Sequence, residues 1–180
     1  MKATGIVRRI DDLGRVVIPK EIRRTMRIRE GDPLEIYTDK DGEVIFKKYS
    51  PVGELSSFAT HICDTLNKTT GHTVAICDRD MVIAVSGTSR RELMDKRISE
   101  EVEHIIESRQ VYQCKPGENK IPVTDSSDRH FVSIAAPIIS EGDVSGCVVF
   151  VTGEAGESMG ETEYKLAQTV SGFLGKQMEG

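Results

Sequence analysis

Apolar side chains in the first 50 residues come in short β-branched bursts between turn residues, and beyond residue 55 they recur at helical spacing or in continuous runs. GIVRRI (5–10) reads as a strand, Asp11-Asp12-Leu13-Gly14 as a turn and RVVIP (15–19) as a second strand. Pro19 suits the first turn of a helix, KEIRRTMRI (20–28), which stops before Glu30-Gly31-Asp32-Pro33. LEIYT (34–38) and EVIFKKY (43–49) flank Asp39-Lys40-Asp41-Gly42, where Asp-Gly signals a hairpin. The pattern is two hairpins linked by a helix. Its large apolar residues are few, chiefly Ile6, Ile10, Leu13, Val16, Ile18, Ile22, Met26, Ile28, Leu34, Ile36, Ile45 and Phe46. So short a chain buries too little surface alone, which predicts an obligate, intertwined dimer.

A linker is expected at 51–55, where Pro51 and Gly53 interrupt the pattern, giving domains at 1–50 and 56–180. Leu55, Phe58, Ala59, Ile62 and Leu66 then share one helical face, closed by Thr70-Gly71. HTVAICDRDMVIAVSG predicts a hairpin turning at Asp78-Arg79-Asp80, followed by a helical region over 90–108. HFVSIAAPIISEGDVSGCVVFVTG predicts a second hairpin around Ser140-Glu141-Gly142-Asp143. A polar stretch at 115–129 is long enough to be a lid or binding loop. The last helix, 158–178, carries Leu166, Val170, Phe173 and Leu174 on one face. Helix, hairpin, helix, short strand, hairpin, helix is the order of an α+β domain with an antiparallel sheet.

Charge divides at the same boundary. Residues 1–50 hold twelve Lys and Arg against nine Asp and Glu, whereas residues 51–180 hold twelve against twenty. Nine of the basic residues fall within the first 30: Lys2, Arg8, Arg9, Arg15, Lys20, Arg23, Arg24, Arg27 and Arg29. On the predicted helix, with Ile22 at zero, Met26 lies at about 40° and Lys20, Arg23, Arg24 and Arg27 between about 100° and 200°. The cations therefore face away from the apolar edge. A basic helix face is often only solvated surface. Here, however, Arg outnumbers Lys seven to five in the first domain, and Arg supplies the planar fork that fits phosphate or a guanine edge.

GIVRRIDDLGRVVIPKEIRRTM, continued by LEIYTDKDGEVIFKKY, resembles the swapped-hairpin DNA-binding domain of the AbrB family of bacterial transition-state regulators. The resemblance implies a β-barrel formed by two interleaved chains. It also implies that Arg8, Arg15, Arg23 and Arg24 are the main contacts to double-stranded DNA, with Arg9, Lys20 and Arg27 assisting. Residues 54–178, and SIAAPIISEGDVSGCVVFV in particular, are similar to a GAF domain, which implies an α/β/α sensor module. Together the domains resemble a group of sporulation transcription factors, implying an activator or repressor of sporulation genes, cytoplasmic and nucleoid-associated.

The second domain offers no assembled chemistry. Gly153, Gly156 and Gly160 match neither a dinucleotide fingerprint nor a P-loop and read as turn and cap residues. His61, His72, His104 and His130 lack metal-ligand spacing. Cys63, Cys77, Cys114 and Cys147 stand 14, 37 and 33 residues apart, as reduced thiols do, with Cys77 and Cys114 as the redox candidates. Neither a metal nor a cofactor is expected, and the chain is read as a non-enzyme. No apolar run approaches the roughly 20 residues of a membrane span. The remaining role is binding. A small-molecule ligand would sit between segments 86–98 and 115–130, and the amphipathic terminal helices would otherwise set the oligomeric state, a homotetramer if each domain dimerises with a different copy. A GAF-like redox or small-molecule enzyme with a basic docking domain and an antitoxin-like interaction protein are the alternatives.

Overall fold

A computed structural model describes residues 5–179. The chain divides into two compact units, the first ending at Tyr49 and the second beginning at Ser50.

In the first unit the helix α1 spans Lys20–Thr25, and strands β1 (Leu34–Thr38) and β2 (Val44–Lys48) form an antiparallel hairpin with Ile36 opposite Phe46. Asp39 organises its turn by accepting the backbone N–H groups of Asp41 and Glu43. The helix is shorter than its sequence pattern. Arg27 turns left-handed at φ 49°, and the N–H groups of Arg27 and Ile28 bond back to the carbonyls of Arg24 and Arg23. That is a Schellman closure, normally made with glycine. The strands expected at 5–10 and 15–19 form no ladder within the chain; 11–14 is a turn, and its flanks carry no regular secondary structure. An isolated two-stranded ribbon without a packed face is marginal, so these segments need a further surface to pair with. Packing agrees, since among residues 5–49 Pro19 is the one buried residue. Val7 is 88% exposed, and Ile10, Leu13, Val17 and Ile36 are also exposed.

The second unit opens where a linker was expected. Pro51–Glu54 is instead a turn of helix, α2, capped by Ser50, whose hydroxyl accepts the Gly53 N–H, and Val52 is fully buried. Helix α3 (Ser56–Thr70) follows, ending at Gly71 with φ 75°. Strands β3 (Thr73–Asp78) and β4 (Val82–Ser86), β5 (Tyr112–Gln113), β6 (Phe131–Ser140) and β7 (Asp143–Thr152) form one antiparallel sheet in the order β4-β3-β7-β6-β5. Glu141 and Gly142 both take positive φ in the two-residue β6–β7 turn, as the right-handed strand twist favours.

The sheet is covered on both faces, which is why β6 and β7 read as continuous apolar runs. On one face Val74, Ile76, Ile134 and Phe150 pack with Val52, Ala59, Leu66 and Leu174 of α2, α3 and the last helix, α6 (Glu161–Met178). On the other, Ala75, Cys77, Cys147 and Val149 pack with Leu93 of α4 (Arg90–Leu93) and Val102, Ile105 and Ile106 of α5 (Glu100–Ser108). The single helical region expected over 90–108 is thus two helices. Between them Arg97 bridges to Met81 and Ile98 to Thr124, which draws the backbone into extended form.

Candidate nucleic-acid interface

Arg8 and Arg9 lie on the segment before the turn, Arg15 at the exit of the turn, and Lys20, Arg23 and Arg24 on or at the start of α1. All six are exposed, and Arg27, just past the helix, is half-buried. Lys2 lies outside the described residues.

Asp11 organises the turn. Its Oδ1 accepts the N–H groups of Leu13 at 3.1 Å and Arg15 at 2.7 Å, and its Oδ2 accepts Arg15 Nε at 2.8 Å. Its main-chain N–H donates to the Arg15 carbonyl and its carbonyl accepts from Gly14. Hydrogen bonds from the Arg15 main chain and guanidinium hold the Asp11 carboxyl below the usual carboxylate range. Arg23 is fixed differently, donating from Nε to the Ile18 carbonyl at 3.2 Å. Lys48 reaches across from β2 to donate to the Arg27 carbonyl at 2.9 Å and lies 3.6 Å from Asp32 Oδ2, tying the hairpin to the left-handed turn. Asp11 escaped a reading based on cations alone, and Lys48 was counted only as charge, yet an Asp opening a turn four residues before an Arg was a visible signal for the first.

In the second unit Cys77 faces Cys147 directly across β3 and β7, both fully buried. The hydrogen bond to Cys147 and burial push the Cys77 thiol well up, which suits a core residue and not a nucleophile. Cys63, also buried, is pushed up to about 12, chiefly by burial. Cys114 is half-buried, with its thiol 3.7 Å from the Lys115 carbonyl. Gly156 donates to Gly153 in a turn, and Gly160 caps α6 and donates to Glu163. The segments expected to frame a pocket meet at His130, whose Nε2 lies 3.1 Å from Glu92 Oε2 and 3.2 Å from Thr88 Oγ1, while Nδ1 lies 3.2 Å from Ser127 Oγ. An open groove of about 390 Å3 runs elsewhere, between α5 and β5, along His104, Ile105 and Tyr112. Among the described residues no cluster of three or more metal-ligating side chains occurs.

The chain joins an arginine-rich hairpin unit to an α/β/α unit, and comparison with known proteins defines its class as a two-domain transcription factor. Residues 7–53 match the family described as antidote-toxin recognition MazE, bacterial antitoxin, and residues 54–179 match stage V sporulation protein T C-terminal, transcription factor. Stage V sporulation protein T of Bacillus subtilis (strain 168) is 52% identical over 180 residues, 99% of each chain, and the protein belongs to that family. The transition state regulatory protein AbrB of the same organism is 65% identical over 51 residues, 28% of this chain and 52% of AbrB, in line with the resemblance of the first domain to the AbrB family. The second unit has the GAF fold. The GAF domain of an Acinetobacter phosphoenolpyruvate-protein phosphotransferase superposes with a TM-score of 0.56 at 10% identity, covering 69% of this chain and 81% of that one.

Proposed function

We propose that this protein is a DNA-binding transcriptional regulator of sporulation genes, acting as activator or repressor from the cytoplasm. Its first unit grips double-stranded DNA as a swapped-hairpin dimer through Arg8, Arg15, Arg23 and Arg24, assisted by Arg9, Lys20 and Arg27. The observation that carries this reading is the grouping of six exposed cations on residues 8–24, on a unit with almost no core of its own. Dimerisation supplies that core and doubles the cations. The GAF unit senses a small molecule or sets the oligomeric state. The Phe58 and Phe173 rings, 5.9 Å apart between α3 and α6 with Phe173 48% exposed, suit the second role and a tetramer. The MazE match keeps an antitoxin-like reading in view, but the structured second unit with its own transcription-factor match favours regulation. The buried Cys77 supports a non-enzymatic role.

Phosphate contacts release counterions, so duplex affinity should fall by several powers of the salt concentration. Titrating a labelled duplex at two salt levels checks this, and a salt-independent affinity sinks the reading. Replacing Arg23 and Arg24 together by Ala should weaken binding and leave the circular dichroism spectrum unchanged.

A further inference from the structure

The six exposed cations between residues 8 and 24 fall into two kinds. Arg15 and Arg23 are each held at the inner nitrogen, Nε, by an internal acceptor: Oδ2 of Asp11 at 2.8 Å and the carbonyl of Ile18 at 3.2 Å. Their two terminal nitrogens have no partner among the described residues. Arg8, Arg9, Lys20 and Arg24 have no side-chain partner there at all.

Fixing an arginine at Nε removes part of the rotamer entropy that binding would otherwise cost and aims its terminal fork. A fork held in this way matches two acceptors at a set spacing, as on the O6 and N7 edge of guanine. An unheld arginine or lysine adapts to phosphates whatever the sequence. Asp11 adds a second effect, because a carboxylate near the phosphate backbone repels every duplex, and the fork it aims compensates only where acceptors meet it.

Resting on the DNA-binding reading above, we infer that Asp11 is a positioning residue for sequence selectivity. It holds Arg15 at Nε and so presents the Arg15 fork to a base edge, whereas Arg8, Arg9, Lys20 and Arg24 supply sequence-independent grip. Asp11→Asn separates this role from turn formation. The amide oxygen still accepts the N–H groups of Leu13 and Arg15, while the amide nitrogen, a donor, replaces the oxygen that receives Nε.

The test uses the full chain. Duplexes are enriched from a random pool on the wild-type protein, and affinities are measured for an enriched duplex and a shuffled one of equal composition. We expect Asp11→Asn to bind the shuffled duplex at least as well as wild type and to lose about tenfold in the enriched-to-shuffled ratio. Arg15→Lys, which keeps the charge but not the fork, should lose the ratio similarly, so the outcome does not hinge on the Asp11 variant folding. Arg24→Ala should weaken both duplexes by the same factor. An Asp11→Asn ratio within twofold of wild type, equal weakening on both duplexes, or no enrichment from the pool overturns the inference and leaves DNA binding standing. A wild-type protein that retains no duplex overturns the DNA-binding reading itself.

Discussion

Arg27 sits at φ 49° in the position of a helix closure where glycine costs least. A side chain kept in the left-handed region costs about 1 kcal/mol, and such residues concentrate at functional sites. Arg27→Gly should therefore stabilise the protein by roughly 0.5–1 kcal/mol while weakening duplex binding, read by thermal melting and titration on the same preparation. Asp11 belongs to the same scale. Its folded carboxyl is held below the ordinary range, so its contribution to the turn is fully present above the unfolded value and disappears as pH falls through the lowered one. An NMR titration of the Asp11 carboxyl should show a midpoint below that of a free aspartate. The thiols make a third case. Three of the four are buried and Cys114 is half-buried, so a thiol reagent should label one cysteine in the native protein and four after unfolding.

Among the elements, the two hairpins of the GAF unit and its two long helices were readable because their signals are local. Apolar runs mark strands covered on both faces, Glu141-Gly142 marks a tight turn, and Gly71 ends α3. The break between α4 and α5 was not readable. Met94 to Ser99 carries helix-compatible residues, and backbone bridges from Arg97 to Met81 and from Ile98 to Thr124, distant in sequence, hold it out of a helix. The turn of helix at Pro51–Glu54 was hidden for the same reason, since Val52 is drawn into a core formed by residues far along the chain. Close approach of α6 to β6 adds a constraint of this kind. A Cβ on Gly175 would lie 2.1 Å from the Ile139 carbonyl oxygen, so Gly175→Ala should destabilise the unit by roughly 1–3 kcal/mol. Chemical denaturation of the variant would measure it.

At the scale of the whole molecule, the two units differ in how much apolar core one chain encloses. The GAF unit encloses two apolar clusters, one on each face of its sheet. The first unit leaves Ile36 and Phe46, directly opposite on β1 and β2, both exposed. Burying each such side chain against a second copy contributes about 1.5–3 kcal/mol, whereas a change at a truly exposed position stays within about 0.5 kcal/mol. Ile36→Asp should accordingly cost far more than a surface substitution and lower the association state, seen by sedimentation. Thermal melting of the wild-type first unit should rise with protein concentration, as folding coupled to assembly requires.

The sequence by itself determined the two-part division, the basic character of the first part and the covered antiparallel sheet of the second. These follow from local composition, periodicity and turn chemistry. Only the tertiary structure decided where α1 ends, that 94–99 is not helical, that Pro51–Glu54 joins a core, and that Asp11 and Ile18 hold two of the arginines. Each of these depends on backbone conformation or on a partner atom brought near by folding, and neither is written in the period of apolar and polar residues.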